Sequence, residues 1–207
     1  MKRLSIAAGV VALVLAVAGS AQAASPAETV SAYTEAVLKV LEDPTLQGKH
    51  HEQREAIRKL ATEVFDVEET ARRALGRHWQ GRTPAEREEF VTLFADLLER
   101  TYIGRIDRFG GERLRIVDEK VDGTNAVVRG RIVTRQGTEV PVEGRMHRRG
   151  DRWLIYDVVV ENVSLVANYR SQFDRIIRTA SFGELLRRLR TRGEGEVGIR
   201  GAAPRAA

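Results

Sequence analysis

No cysteine occurs in the chain, so disulfide bonds, thiolate nucleophiles and cysteine-based metal sites are all excluded. Histidine is scarce. His50, His51, His78 and His147 show no i,i+4 pairing, and the adjacent His50-His51 side chains point away from each other. This leaves no metal site in the pattern. Walker, Rossmann and nucleophile-elbow motifs are absent, which removes any ATPase or serine-hydrolase signature. Aromatic residues are only 6% of the chain, and none alternates with a basic stripe. The 34 Lys+Arg residues are interleaved with 29 Asp+Glu, so they read as solvated mixed-charge faces rather than a nucleic-acid groove. No internal repeat and no linker divides the sequence.

The one long apolar run sits at the start. Lys2-Arg3 precede Ile6 to Val17, and Ala21-Gln22-Ala23 is an A-x-A cleavage pattern, so residues 1–23 read as a secretory signal cleaved after Ala23. The run is too short to span a bilayer comfortably. Its loss removes two basic residues and no acid, lowering the net charge of +5 by two. No later segment is long and apolar enough to span. An exported chain with no disulfide must rely on its core, and residues 24–190 are long enough for one such core. The segment 191–207 is Gly, Ala, Arg and Glu with almost no apolar side chains and is expected to be disordered.

The pattern changes period along the chain. Ser25-Pro26-Ala27-Glu28 carries a capping box with proline in the first turn, opening a helix whose apolar face is Val30, Tyr33, Val37, Leu38 and Leu41. A second helix is expected from His50 to Thr62, with Ile57 and Leu60 as its apolar contacts. Asp66 caps a third over Val67 to Leu75, which Gly76 ends. Thr83-Pro84-Ala85-Glu86 starts a long helix carrying Phe90, Phe94, Leu97, Leu98, Tyr102, Ile106 and Phe109, with Gly110-Gly111 as its end. Phe90 to Leu98 read as a core stripe. Tyr102 to Phe109 fit either a core or a ligand.

From Arg113 the period becomes two. Turns at Asp122-Gly123, Gln136-Gly137 and Arg149-Gly150-Asp151 separate four strands of an antiparallel meander. One face collects Val128, Ile132, Val142 and Met146. The other collects Arg129, Arg131, Glu143 and Arg145, and Asp157 and Glu161 are candidates for the same side. Cross-strand ion pairs explain such a face. An acid–base site, with Asp157 beside His147 or Arg145, is the alternative, but it lacks a nucleophile. The fourth strand, Trp153 to Val160, is apolar on both faces except at Asp157. Ser164 then caps a helix whose stripe is Leu165, Tyr169, Phe173 and Ile176. Ser181 to Leu189 form a last short helix. The whole is an α+β domain: a four-stranded meander packed on N-terminal helices plus C-terminal helices.

The segment W-x-I-Y-D-V-x-V-E-x-V-S-L-x-x-N-Y-R-x-x-F, from Trp153 to Phe173, resembles the MlaC, or toluene-tolerance, family of periplasmic phospholipid-binding proteins. Phe65-Asp66, Ala74-Leu75-Gly76, Trp79 and Thr83-Pro84-x-x-Arg87-x-x-Phe90 carry the same resemblance, which extends over residues 27 to 190. The chain departs from it at Asn162, where the family turn has glycine; asparagine tolerates the left-handed conformation better than most residues. The resemblance implies a cone-like fold with an apolar cavity. It implies a non-enzymatic, monomeric carrier of phospholipid, moving cargo between an outer-membrane lipoprotein complex and an inner-membrane ABC transporter complex. Energy for directed transport would then come from a partner. The lipid-lining residues expected are Tyr102, Ile106, Phe109, Val128, Ile132, Val142, Met146, Tyr156, Val158, Val160, Leu165 and Tyr169. A carrier of hopanoid or another lipid, and a small hydrolase or isomerase on a cone-shaped fold, are the alternatives.

Overall fold

The computed structural model describes residues 24–103 and 111–191. Helices α1 (Pro26–Glu42), α2 (His50–Val64), α3 (Val67–Leu75) and α4 (Pro84–Tyr102) precede strands β1 (Arg113–Asp122), β2 (Asn125–Val133), β3 (Glu139–Arg149) and β4 (Arg152–Val160). A two-residue β5 (Val163–Ser164) leads into α5 (Leu165–Thr179) and α6 (Phe182–Thr191). The architecture is α+β, with one antiparallel sheet in the order β1-β2-β3-β4-β5. The fifth strand is the addition to the expected meander. Among the described residues, no helix is long and apolar enough to cross a membrane.

Local chemistry sets the helix starts. Ser25 and Glu28 complete a capping box on α1, and Thr83 and Glu86 do the same on α4. Asp66 caps α3 by accepting from the Glu69 N–H, and Gly76 ends that helix at φ 57°. The expected continuation of α4 to Phe109 lies outside the described residues, as do the leader and the tail beyond Thr191, a residue that the structure places in α6.

Among the described residues, two separate apolar clusters form. The larger is helical. Phe90, Phe94, Leu97, Tyr169, Phe173, Leu185 and Leu189 have no exposed surface, and α3, α4, α5 and α6 all contribute. Phe94 stands edge-on to Tyr169 and to Phe173, with centroids 4.9 and 5.3 Å apart. The smaller cluster lies on one face of the sheet. There Val30 and Val64 cover Ala126, Val128, Met146, Trp153 and Ile155, with Tyr33 and Phe65 packed alongside.

β4 joins the halves: Trp153, Leu154 and Ile155 are buried on both faces, while further along Asp157 and Val159 stay buried and Val158 and Val160 are half-buried. Phe65 forms an isolated parallel bridge with Ile155, and the Asp66 N–H donates to the Ile155 carbonyl at 2.8 Å. The β3–β4 register shifts by one residue here, leaving Tyr156 in a bulge. At the other end of β4, the turn passes through Glu161 and Asn162 at φ 49° and 64°. Asn162 therefore adopts the left-handed conformation that asparagine tolerates better than most residues.

Asp157, buried on the outer face of β4, fixes the corner that follows. One oxygen accepts from the Ser164 hydroxyl at 2.6 Å and from Arg145 at 3.3 Å; the other accepts from the Val166 N–H at 3.0 Å. Ser164 itself caps α5 at the Ala167 N–H. Ser164→Ala should cost ~1 kcal/mol of unfolding free energy in urea denaturation. Asp157→Ala should cost about 2–4 kcal/mol, because it strands a buried N–H and a guanidinium. Equal losses in the two variants would show that the carboxylate adds nothing beyond the cap.

Glu69 gives a pH prediction. Hydrogen bonds from Arg72, and then from Arg73, hold its carboxyl down to about 2 from an ordinary 4.5. A pKa depressed in the folded state stabilises above the unfolded value and is lost as pH falls through the folded one. Glu69→Gln should therefore reduce stability at neutral pH and flatten the acid limb between pH 4.5 and about 2, as read by thermal melts across that range.

Candidate functional site

The antiparallel register places four cross-strand rows on the inner face of the sheet. These are Leu114–Ile132–Val140, Ile116–Gly130–Val142–Val160, Glu119–Val128–Gly144–Val158 and Val121–Ala126–Met146–Ile155. Glu119, at the edge, is the single charge among them. It accepts from the Ala27 N–H at 2.7 Å and so anchors the start of α1. Glu42, at the end of α1, pairs with Arg113 at the start of β1. Helix α1 therefore runs antiparallel to β1, and its apolar stripe lies along the inner face.

The two ends of this face differ. At the β2–β3–β4 end bearing Met146, Val30 and Val64 close the face into core, and Met146 is fully buried. At the opposite end Leu114, Ile116, Ile132, Val140, Val142, Val158 and Val160 are only half-buried, and so are Val37, Leu38 and Leu41 on α1. Ile132, Val140, Val142 and Val160 belong to neither core cluster. Gly144 lies between Val128 and Val158, and a Cβ added there would meet no atom within 4 Å beyond its chain neighbours. Space therefore stands over the middle of the apolar face. Nearby, burial pushes the Tyr33 phenol up to about 12, so the hydroxyl remains neutral at physiological pH. Such an arrangement can hold alkyl groups; it offers no nucleophile and no acid–base pair.

Of the expected lining residues, Val128, Ile132, Val142, Met146, Val158 and Val160 share this face. Tyr156 does not: in the bulge its ring lies 3.8 Å under the Arg73 guanidinium and edge-on to His147. Leu165 packs on the helical cluster and Tyr169 is buried within it. Tyr102 is the half-buried last residue of α4, while Ile106 and Phe109 fall outside the described residues. Leu114, Ile116 and Val140 join the face beyond those expected; strict alternation, followed to the start of β3 and onto β1, would have placed them there.

The opposite face carries cross-strand ion pairs. Arg129 bridges Glu143 at 3.1 Å and Asp118 at 3.3 Å, and Arg145 meets Asp157. The acid–base alternative for Asp157 fails on geometry, because both of its oxygens hold the corner. His147 instead contacts Asp66 at 2.9 Å. Glu161 lies exposed in the turn and takes no part.

A family model described as "MlaC protein" matches residues 31–191. An intermembrane phospholipid transport system binding protein, MlaC, from Haemophilus influenzae is 24% identical over 106 residues, covering 49% of this chain and 50% of that protein. This chain's match thus spans about half the length of that relative. A phospholipid-binding protein from Ralstonia solanacearum, solved in complex with a phospholipid, superposes with a TM-score of 0.68 at 25% identity. The superposition covers 78% of this chain and 93% of that one. With most of its length matched by the family model and the fold shared, the chain belongs to the MlaC family.

Proposed function

We propose that the chain is a non-enzymatic carrier of glycerophospholipid, holding acyl chains against the inner face of the sheet. The observation that carries this is the unfilled space over Gly144, floored by half-buried aliphatic side chains and faced by the apolar stripe of α1. The named relatives are a phospholipid transport binding protein and a phospholipid complex, which supports the same cargo class. Ile132, Val142, Val158 and Val160 are the tail contacts, with Val128 and Met146 at the closed end. The mouth is at the end of the sheet where Arg113, Glu139 and Val160 lie.

Burial supplies the affinity. About thirty methylenes at ~0.8 kcal/mol each amount to ~24 kcal/mol against water, which is why the cargo needs a shield in transit. The net affinity is far smaller, since the tails leave a membrane that is equally apolar. Export by the leader at residues 1–23 places the carrier in the periplasm as a single domain. There it would exchange cargo with an outer-membrane lipoprotein complex and an inner-membrane ABC transporter complex.

Native mass spectrometry of the purified exported protein should show one glycerophospholipid per chain; a hopanoid in its place would reassign the cargo. Gly144→Phe tests the site. Its backbone is not left-handed and the space above it is open, so the variant should fold, as circular dichroism would show. Occupying that space should cost the lipid about 1–3 kcal/mol, a fall in affinity of roughly ten- to a hundredfold. Full lipid occupancy in folded Gly144→Phe would remove this face from the pocket.

A further inference from the structure

Two clefts open on the helical half, remote from the apolar face of the sheet, and their charge differs. The first, about 520 Å³ between α3 and α4, sets Arg72 and Arg87 against Glu68 and Glu88. Its formal charge balances. The second, about 400 Å³, lies between the C-terminal end of α3 and α5. Leu75 is on its wall with Arg77, His78, Arg170 and Arg178, and Asp174 is the single acid that lines it. Arg77, Arg170 and Arg178 against Asp174 leave two positive charges uncompensated.

Asp174 and the end of α3 draw the cations of this cleft together. Asp174 takes Arg77 at 2.5 Å and His78 at 2.9 Å, with Arg178 at 3.7 Å. Arg170 donates through Nε to the Arg73 carbonyl at 2.8 Å, capping the last turn of α3. Its aliphatic stem lies against Gly76, where an added Cβ would approach Arg170 Cδ to 3.3 Å. Gly76 thus serves twice, as the left-handed end of α3 and as the seat for this arginine. The terminal nitrogens of Arg170 have no acceptor among the described residues. On other parts of the helical surface, by contrast, Arg72 and Arg73 are matched to Glu69, and Arg187 and Arg188 to Glu184.

We infer that this cleft is an oxyanion site that takes a phosphate group, on Arg170 with Arg77 and Arg178. A guanidinium fork matches phosphate oxygens in pairs, and a charge of one or two negative suits the surplus of the cleft. A single carboxylate would use one fork and leave the others unmatched. The phosphate has two sources with the same chemistry, an anionic lipid headgroup at a bilayer surface or a free phosphate ion. The site is separate from the apolar face, so it stands or falls independently of the cargo.

The test uses the exported chain in two arms. Inorganic phosphate is titrated while backbone amide NMR shifts of Arg77, His78 and Ser171 are followed. Vesicles of phosphatidylglycerol with phosphatidylcholine are compared with pure phosphatidylcholine by flotation, at low and high salt. The inference expects saturable shifts localised to this cleft, salt-sensitive flotation with the anionic vesicles, or both. Flotation identifies the headgroup as the source; shifts without flotation identify the free ion. Arg170→Gln should weaken whichever response is seen by roughly tenfold, the loss of one charge-assisted hydrogen bond. Because Arg170 also caps α3, the exposed pair Arg77→Gln with Arg178→Gln provides a second variant that leaves that cap intact. Arg58→Gln on α2 removes the same charge away from the cleft and should change nothing. No response in either arm, an equal loss in Arg58→Gln, or binding only to an added polyglutamate peptide would overturn the inference.

Discussion

The buried carboxylate of Asp157 is the contact on which the arrangement of the two halves depends. Charges seldom enter a protein interior unless every acceptor lobe is used. Here β3 supplies Arg145, the corner supplies Ser164 and α5 supplies the Val166 N–H. One side chain thereby sets how the C-terminal helices leave the sheet. Asp66 does the same at the other end of β4. It caps α3, contacts His147 and Arg149, and its own N–H bonds to Ile155. Helices before and after the sheet are thus tied to a single strand.

That arrangement has a consequence for the inner face. The helical cluster closes around Phe90, Phe94, Tyr169 and Phe173 without help from the sheet. The second cluster closes only the Met146 end. Folding therefore does not require Ile132, Val142 and Val160 to be packed by protein. Unfilled apolar surface normally costs stability, and a separate, complete core is what lets this chain carry it. Gly144 contributes by leaving room where a side chain would otherwise stand.

Much of the fold was legible in the residues because its determinants are local. Ser25, Asp66, Thr83 and Ser164 were expected as caps and act as caps. A cap needs only a short side chain at the right position relative to the next three residues. The alternation that separates Val128, Ile132, Val142 and Met146 from Arg129, Arg131, Glu143 and Arg145 survives intact, since successive strand residues point to opposite faces. The left-handed position of Asn162 followed from the resemblance, which has glycine in that turn, and asparagine tolerates that conformation.

The sequence by itself determined the helix starts, the meander, the apolar fourth strand and the polar corner after it, all set by neighbours within a few positions. Only the tertiary structure decided where three of the expected lining residues went. Tyr156 was expected in the lining beside Val158 and Val160, but the one-residue bulge, next to the bridge from Phe65 to Ile155, sets it against Arg73 and His147 instead. Leu165 and Tyr169 lie on a true helical stripe, yet a stripe does not name its partner; theirs is the helical core. The pairing of Asp174 with Arg77 and His78, nearly a hundred positions apart, was equally invisible. A bulge, a partner and a long-range ion pair all arise from segments distant in sequence, and no local pattern of residues encodes them.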